Sequence, residues 1–125
     1  MLAPLGDCEV HDLASHAVGD TFRIFVGHCH DGRVNDVPAV YVSDANGSFG
    51  LTVDIVRHLQ LGGHVPPLVV VGIGYPVALL RQTLAPRTRD LTPTVSPVMT
   101  DGAGDVMASG GAAAFLAFVA GELQP

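Results

Sequence analysis

The sequence predicts an α/β protein with a largely parallel sheet, for three reasons. First, residues 39–43 and 68–73 have the composition of strands, and the second segment is a continuous β-branched run, typical of a strand buried in a parallel sheet. Second, a segment of helical periodicity lies between them, which gives the strand–helix–strand order of a parallel crossover. Third, 48% of the residues are hydrophobic and only 14% are charged, which provides a core for one domain and argues against disorder.

Two further strands are expected before residue 39. Residues 8–12 have the length and composition of a short strand. The segment 21–28 alternates, with Phe22, Ile24 and Val26 on one side and Arg23 and Phe25 on the other. This alternation is typical of an antiparallel or edge-type strand that is covered on one face.

Residues 49–61 are expected to form the crossover helix. Phe49, Val53 and Val56 recur at a spacing of three to four residues, which places them on one face. The pair Gly62 and Gly63 then supplies a helix stop.

A second helix is expected at the end of the chain, over residues 110–123. Its predicted apolar stripe comprises Ala112, Phe115, Leu116, Val119 and Leu123. The segment between the last strand and this helix, residues 74–105, is rich in proline and predicts a long loop. Loops of this length in compact domains are often functional.

The charge balance excludes several classes of protein. All six basic residues are arginine, twelve residues are acidic and the net charge is −6, so we expect no nucleic-acid partner. The longest apolar run, Leu68–Tyr75, is too short to span a membrane and the start lacks the pattern of a signal peptide, so we expect a cytoplasmic protein with no membrane association. Cys8 and Cys29 form neither a C-x-x-C pair nor a disulfide framework, and they are expected to be buried thiols.

Five stretches, in order, resemble one family of α/β-hydrolases. They are VHDLASHAVGDTFRIFV, PAVYVSDANGSFG, PPLVVVGIGYP, RTRDLTPT and SGGAAAFLAFVAGELQP. Together they resemble the N-terminal half of the enterochelin esterase-like (siderophore) hydrolases, from about residue 8 to the last residue. Ser43 and the pair Ala113–Ala114 depart from the family's pattern, at positions without a chemical role.

The resemblance implies a mostly parallel eight-stranded sheet in a three-layer αβα fold. Residues 1–125 would be the N-terminal portion of a single hydrolase domain, with the first four strands and two helices but not the nucleophile strand. The family's serine, acid and histidine would all lie beyond residue 125, so this chain alone is expected to be inactive. The implied reaction is hydrolysis of a small-molecule carboxylic ester of the siderophore type, with no cofactor.

The strand-to-helix segment DANGSFG is the expected oxyanion loop. In α/β-hydrolases one oxyanion donor is a backbone N–H from the loop after the third strand, and by position that donor is Asn46 or its neighbour Ala45. An ordinary strand-to-helix turn is the alternative. Ser48 lies in NGSFG, close to the G-x-S-x-G pattern, but His58 and His64 follow in the same helix and its exit, so a cap or turn role is preferred.

Four charged residues are expected at the carboxyl edge of the sheet. Arg87 and Arg89 could grip an anionic or phenolate-rich substrate, with Asp90 orienting one of them. Asp44, at the end of its strand, could hold its own loop or approach an arginine. The alternative is a structural ion pair of Arg87 or Arg89 with Asp90 or Asp44.

Two other features of the sequence concern metal binding and self-association. His28 and His30 could share one face of a strand, but no further ligand pair is evident and no metal site is predicted. In the family's strand order the segment Ala39–Ser43 lies between the fourth and the fifth strands, so its free edge could mediate self-association. The alternative function is therefore a non-catalytic interaction or binding module derived from a hydrolase.

Overall fold

A computed structural model describes residues 7–30, 36–97, 100 and 104–123. Four strands form one sheet: β1 (Cys8–Ala14), β2 (Thr21–Cys29), β3 (Ala39–Val42) and β4 (Leu68–Gly74). Their order across the sheet is β1-β2-β4-β3. Each predicted strand is therefore present, within two residues at either end.

The interior strand β4 has one antiparallel and one parallel neighbour. It runs antiparallel to β2, with Ile24 opposite Ile73, and parallel to β3, with Val40 opposite Val70. The β-branched run thus marks an interior strand, as expected, but the sheet around it is mixed. Among the described residues, β3 pairs with β4 alone and forms one edge of the sheet.

The crossover helix α1 (Ala45–Leu61) begins four residues before the predicted start. It buries Ala45, Phe49 and Val53, which continue the predicted stripe by one turn towards the N-terminus. It ends as predicted at Gly62, and Gly63 has a φ of 74°, which glycine adopts without strain. No helix in the described ranges is long and apolar enough to cross a membrane.

The chain divides into two compact units. The first contains the described residues up to Asp12 together with residues 23–74, and the second contains residues 13–22 together with those from Tyr75 onwards. The core of the first unit joins α1 to the sheet and consists of Cys29, Ala45, Phe49, Val53, Leu68 and Val70.

The second unit corrects the prediction of a long loop. A 3₁₀ helix covers Leu80–Thr83 and a short helix, α2, covers Leu84–Asp90. The residues RTRD are therefore the last turn of a helix, not part of a loop. Pro86 is the third residue of α2, and the first turn of a helix tolerates proline because its N–H groups have no partner within the helix.

The predicted last helix consists of two parts. An α-helix, α3 (Ala112–Ala117), continues into a π-helical segment, Phe118–Leu123. Phe118 is fully buried and stacks on Phe22 with ring centroids 4.4 Å apart, whereas Leu116 is 63% exposed. The apolar stripe predicted from α-helical spacing was wrong at Leu116, and it omitted Phe118.

Candidate functional site

The residues expected to form the oxyanion loop lie where β3 passes into α1. Asp44 adopts the left-handed conformation, with φ 56° and ψ 34°, which Asp and Asn tolerate better than most residues. Its carbonyl accepts the N–H groups of Gly47 and Ser48 at 3.1 and 3.2 Å. One left-handed residue thus turns the strand directly into the helix.

Ala45 and Asn46 are the first two residues of α1. The first N–H groups of a helix have no acceptor four residues earlier within it, and the helix dipole adds partial positive charge at that end. The two predicted donors are therefore backbone groups of the kind that bind anions at helix N-termini. They occupy a helix terminus instead of the loop expected from the sequence.

Two glycines of β4 let this end of α1 approach the sheet. A Cβ added at Gly72 would lie 2.8 Å from the Cβ of Ala45 and 2.9 Å from a ring carbon of Phe49, both too close. A Cβ added at Gly74 would collide with the side-chain oxygen of Asn46. The absence of these side chains therefore places the first turn of α1 against the carboxyl end of β4.

Ser48 makes the hydrogen bonds of a residue in a first helical turn. Its hydroxyl donates to the carbonyls of Ser43 at 3.2 Å and Asp44 at 3.0 Å. His58 follows ten residues later in the same helix, roughly 15 Å along its axis. Ser48 is therefore bonded to strand-end carbonyls, as the turn interpretation expects.

In the second unit, Arg89 and Asp90 form a fork-to-fork ion pair. Arg89 donates from Nε to Oδ1 of Asp90 at 2.7 Å and from Nη2 to Oδ2 at 3.0 Å. Asp90 is 1% exposed and also accepts the Tyr75 hydroxyl at 2.8 Å. A third bond, of 2.9 Å, joins Arg89 to Asp20.

These hydrogen bonds shift the pKa values of Arg89 and Asp20. The hydrogen bonds from Arg89 to Asp90, ahead of those to Asp20, raise the pKa of the guanidinium further above its already high value. Burial alone would raise the pKa of Asp20, but the hydrogen bonds from Arg89 and from the Thr21 N–H hold it below its ordinary value. Both charges are consequently retained over the neutral range.

The network borders a cavity. Asp20, Gln82 and Arg89 line a space of about 330 Å³, together with Val77, Ala85, Pro86 and Ala108. Arg87 is half-buried on the same helix. The structure thus brings Arg89 and Asp90 together, a contact that both sequence interpretations include.

Sequence reasoning missed three contributors to the second unit. Tyr75 and Asp20 are the partners of the Arg89–Asp90 pair, and neither lies near it in the sequence. Glu122 accepts the backbone N–H groups of His16 at 3.1 Å and Ala17 at 2.7 Å. The only sequence signal was the position of Tyr75 directly after β4, a place where ligand-side residues collect in α/β sheets.

Neither cysteine is in a disulfide, and burial raises the pKa of the Cys29 thiol while Arg57 opposes the rise. Within the described ranges, no group of three or more His, Cys, Asp or Glu side chains is arranged to hold a metal ion.

The chain is similar over all or nearly all of its length to parts of several solved proteins, some of which are named as hydrolases. One is the BES protein from Bacillus cereus, with 25% identity and a TM-score of 0.81, of which the chain covers 47%. A second is the siderophore hydrolase EstB from Aspergillus nidulans, with 26% identity and a TM-score of 0.76, of which it covers 44%. An IroE-like serine hydrolase from Shewanella oneidensis matches 95% of this chain at 24% identity, with a TM-score of 0.74 and 37% of that protein covered. No family model and no curated protein matches the sequence.

A mixed sheet in the order β1-β2-β4-β3, with a helix starting at the carboxyl end of β3, defines part of an α/β-hydrolase fold. The chain spans less than half the length of the first of these solved proteins. Within this class the solved proteins that it resembles include siderophore hydrolases, and the similarity covers less than half of each of them.

Proposed function

We propose that these residues supply the scaffold and one oxyanion donor of a serine hydrolase that cleaves carboxylic esters of the siderophore type. The observation that carries the proposal is the 26% identity and the TM-score of 0.76 with a siderophore hydrolase over the entire chain. The start of α1 supports it, because Ala45 and Asn46 present helix N-terminal N–H groups at the carboxyl ends of β3 and β4.

The nucleophile, acid and base would come from outside residues 1–125. Ser48 is already bonded to two backbone carbonyls and lies in a helix, so it is a poor candidate for the attacking group. The two compact units would then be parts of one hydrolase domain. The similarity of the whole chain, with both units, to part of one siderophore hydrolase supports this.

The charged residues would have separate structural and substrate-binding roles. Arg89 and Asp90, held by Tyr75 and Asp20, would brace the segment after β4, and Arg89 would also present its charge to the cavity beside it. Arg87 would contact an anionic or catecholate group of the substrate. Asp44 would act through its left-handed turn, which sets the start of α1.

A chimera tests the proposed role of the scaffold. Residues 1–125 replace the matched 44% of EstB, and hydrolysis of p-nitrophenyl esters is measured. We expect activity in the chimera. Asn46→Pro, which removes an N–H where the first helical turn tolerates proline, should lower kcat by about 100-fold, whereas Asn46→Ala should retain most of the activity. Equal activity of the two variants would exclude Asn46 as the donor.

A serine-directed fluorophosphonate tests the location of the nucleophile. The 125-residue chain should remain unlabelled. Covalent labelling that maps to Ser48 and disappears in Ser48→Ala would show that the nucleophile lies within this chain, contrary to the proposal.

A second, non-exclusive proposal concerns association. Because β3 pairs only with β4 in the described part of the chain, its outer edge could pair with a strand of another chain. Such strand pairing is also what a non-catalytic interaction module derived from a hydrolase would use.

A further inference from the structure

A cavity of about 410 Å³ lies in the first unit, at the end of the sheet opposite the proposed oxyanion donors. The donors lie where β4 ends and α1 begins, whereas this cavity lies where β2 ends and β4 begins, beside the last turns of α1. Its wall includes His28, His30 and Arg57. Nothing in the proposed hydrolysis uses these three side chains.

Arg57 brings a permanent positive charge to the wall. Arg57 and the buried Cys29 line the same cavity, and the guanidinium opposes the rise in the thiol's pKa that burial causes. A guanidinium presents five N–H donors in a planar fork that matches the oxygens of carboxylate, phosphate or sulfate. Arg57 is one of only six basic residues in a chain of net charge −6, so its position here is not a consequence of general basicity.

The two histidines form a hydrogen-bonded pair backed by a carboxylate. His28 Nδ1 lies 3.4 Å from His30 Nε2, and His28 Nε2 lies 3.2 Å from Oε2 of Glu9. Because the carboxylate can only accept, His28 donates from Nε2 and its Nδ1 faces His30. The hydrogen bond from His28 lowers the pKa of Glu9, so this carboxylate stays ionised and can stabilise a proton added to the pair.

We propose that this cavity binds a small molecule through an oxyanion group, held by Arg57 and the His28–His30 pair. Val65 and Pro67 on the same wall would pack against its apolar part. An anion beside the two rings favours uptake of a proton by the pair, so binding and protonation reinforce one another. Among the residues that the structure describes, the groups near the pair include Glu9, Arg57 on α1 and the neighbouring Cys29, and His11 lies 3.8 Å from Glu9.

Sulfate is a suitable probe because its charge is constant between pH 6 and 8, and acetate serves as the carboxylate arm. Each is titrated into the ¹⁵N-labelled protein while the imidazole resonances and the Arg57 side-chain resonance are followed by NMR. We expect saturable shifts at His28, His30 and Arg57, with sulfate binding about tenfold more tightly at pH 6 than at pH 8. If only acetate saturates the site, the ligand class is a carboxylate.

Two variants isolate the site. Arg57→Gln should weaken sulfate binding by about tenfold or more, because a charge-assisted fork is lost. Arg81→Gln removes an exposed arginine outside this cavity and should leave binding unchanged. His30→Gln should retain binding at pH 8 but remove most of its pH dependence.

The proposal fails if neither ion shifts these resonances at tens of millimolar, or if Arg57→Gln binds as tightly as the unmodified protein. Matching far-UV circular dichroism spectra of the variants would show that a loss of binding is not a loss of fold.

Discussion

At the scale of single residues, the glycines of β4 determine how close α1 can lie to the sheet. Gly72 faces Ala45 and the ring of Phe49, and neither neighbour is the flexible end of a long side chain. An isolated glycine in a strand is typical of a place where another element approaches closely, and Gly72 is such a position.

Gly72→Ala should therefore destabilise the protein. The added methyl would lie 2.8 Å from the Cβ of Ala45, and we expect the free energy of unfolding to fall by about 2 kcal/mol. Urea denaturation followed by circular dichroism measures the change. Gly121→Ala is the control, because no atom lies within 4 Å of the added Cβ. Equal effects of the two substitutions would contradict the packing argument.

Asp90 is the buried acceptor of the second unit, and its replacement should be costly. Asp90→Asn leaves Arg89 with one fewer charged partner in a buried site, so we expect a loss of about 3 kcal/mol in the free energy of unfolding. Asp12→Asn breaks the pair with Arg23, whose side chains are 47% and 34% exposed, and should cost less than about 1 kcal/mol. A comparable cost for both, by urea denaturation, would mean that the Asp90 network contributes no more than a surface pair.

At the scale of elements, the sequence predicted the existence of the strands and α1 but not where every helix begins. The start of α1 was placed at Phe49 because DANGS has the composition of a turn. The turn is completed by Asp44 alone, so Ala45 and Asn46 are already helical.

The helix α2 was missed for a related reason. Proline within a polar stretch favours a loop, yet Pro86 lies in a first helical turn, where its missing N–H costs nothing. The helix is short, and the partners that fix its end, Asp20 and Tyr75, come from distant segments. Such contacts leave no periodic signal in the local sequence.

Glu122 joins the π-helical segment to the turn that follows β1 by accepting two backbone hydrogen bonds. The stability that these hydrogen bonds contribute should depend on pH. The N–H of Ala17, opposed by partial burial and helped by the N–H of His16, lowers the pKa of Glu122 below its ordinary value of 4.5. A lowered carboxylate pKa contributes stability that is complete above the unfolded pKa and is lost as the pH falls through the folded one.

The melting temperature of Glu122→Gln should accordingly be lower than that of the unmodified protein above roughly pH 5, and the difference should close towards roughly pH 3. Differential scanning calorimetry across this range measures it. A difference that is independent of pH would show that the carboxylate charge is not what stabilises the turn.

At the scale of the whole molecule, the resemblance predicted that β3 lies beside β4 in an α/β-hydrolase sheet, which local patterns could not. Charge and periodicity predicted an α/β core but left the direction of β2 relative to β4 open. The buried face of the last helix was not predicted correctly by either. Phe118 lies three residues after Phe115 and both are buried, whereas Leu116 between them is exposed.

The free edge of β3 makes a prediction about association. Val40 is 41% exposed at this edge, and a lysine there should disfavour strand pairing between molecules. If the chain self-associates through β3, Val40→Lys should shift its elution in size-exclusion chromatography with light scattering towards the monomer. Leu61→Lys, at an 87% exposed position on α1, is the matched control. A monomeric parent protein, or equal shifts in both variants, would rule out pairing through this edge.

The wide turn near the C-terminus also limits which insertions and deletions the gene can tolerate. A π-helical turn is equivalent to an α-helix carrying one extra residue. Because the wide turn already absorbs that residue, deleting Ala120 would let the backbone return to ordinary helical winding with little change in the direction of Glu122. Inserting a further residue before Glu122 would instead rotate every later side chain by roughly 100° about the axis. Glu122 would then face away from the N–H groups of His16 and Ala17, so the gain of one codon would separate two segments that lie more than a hundred positions apart in the sequence.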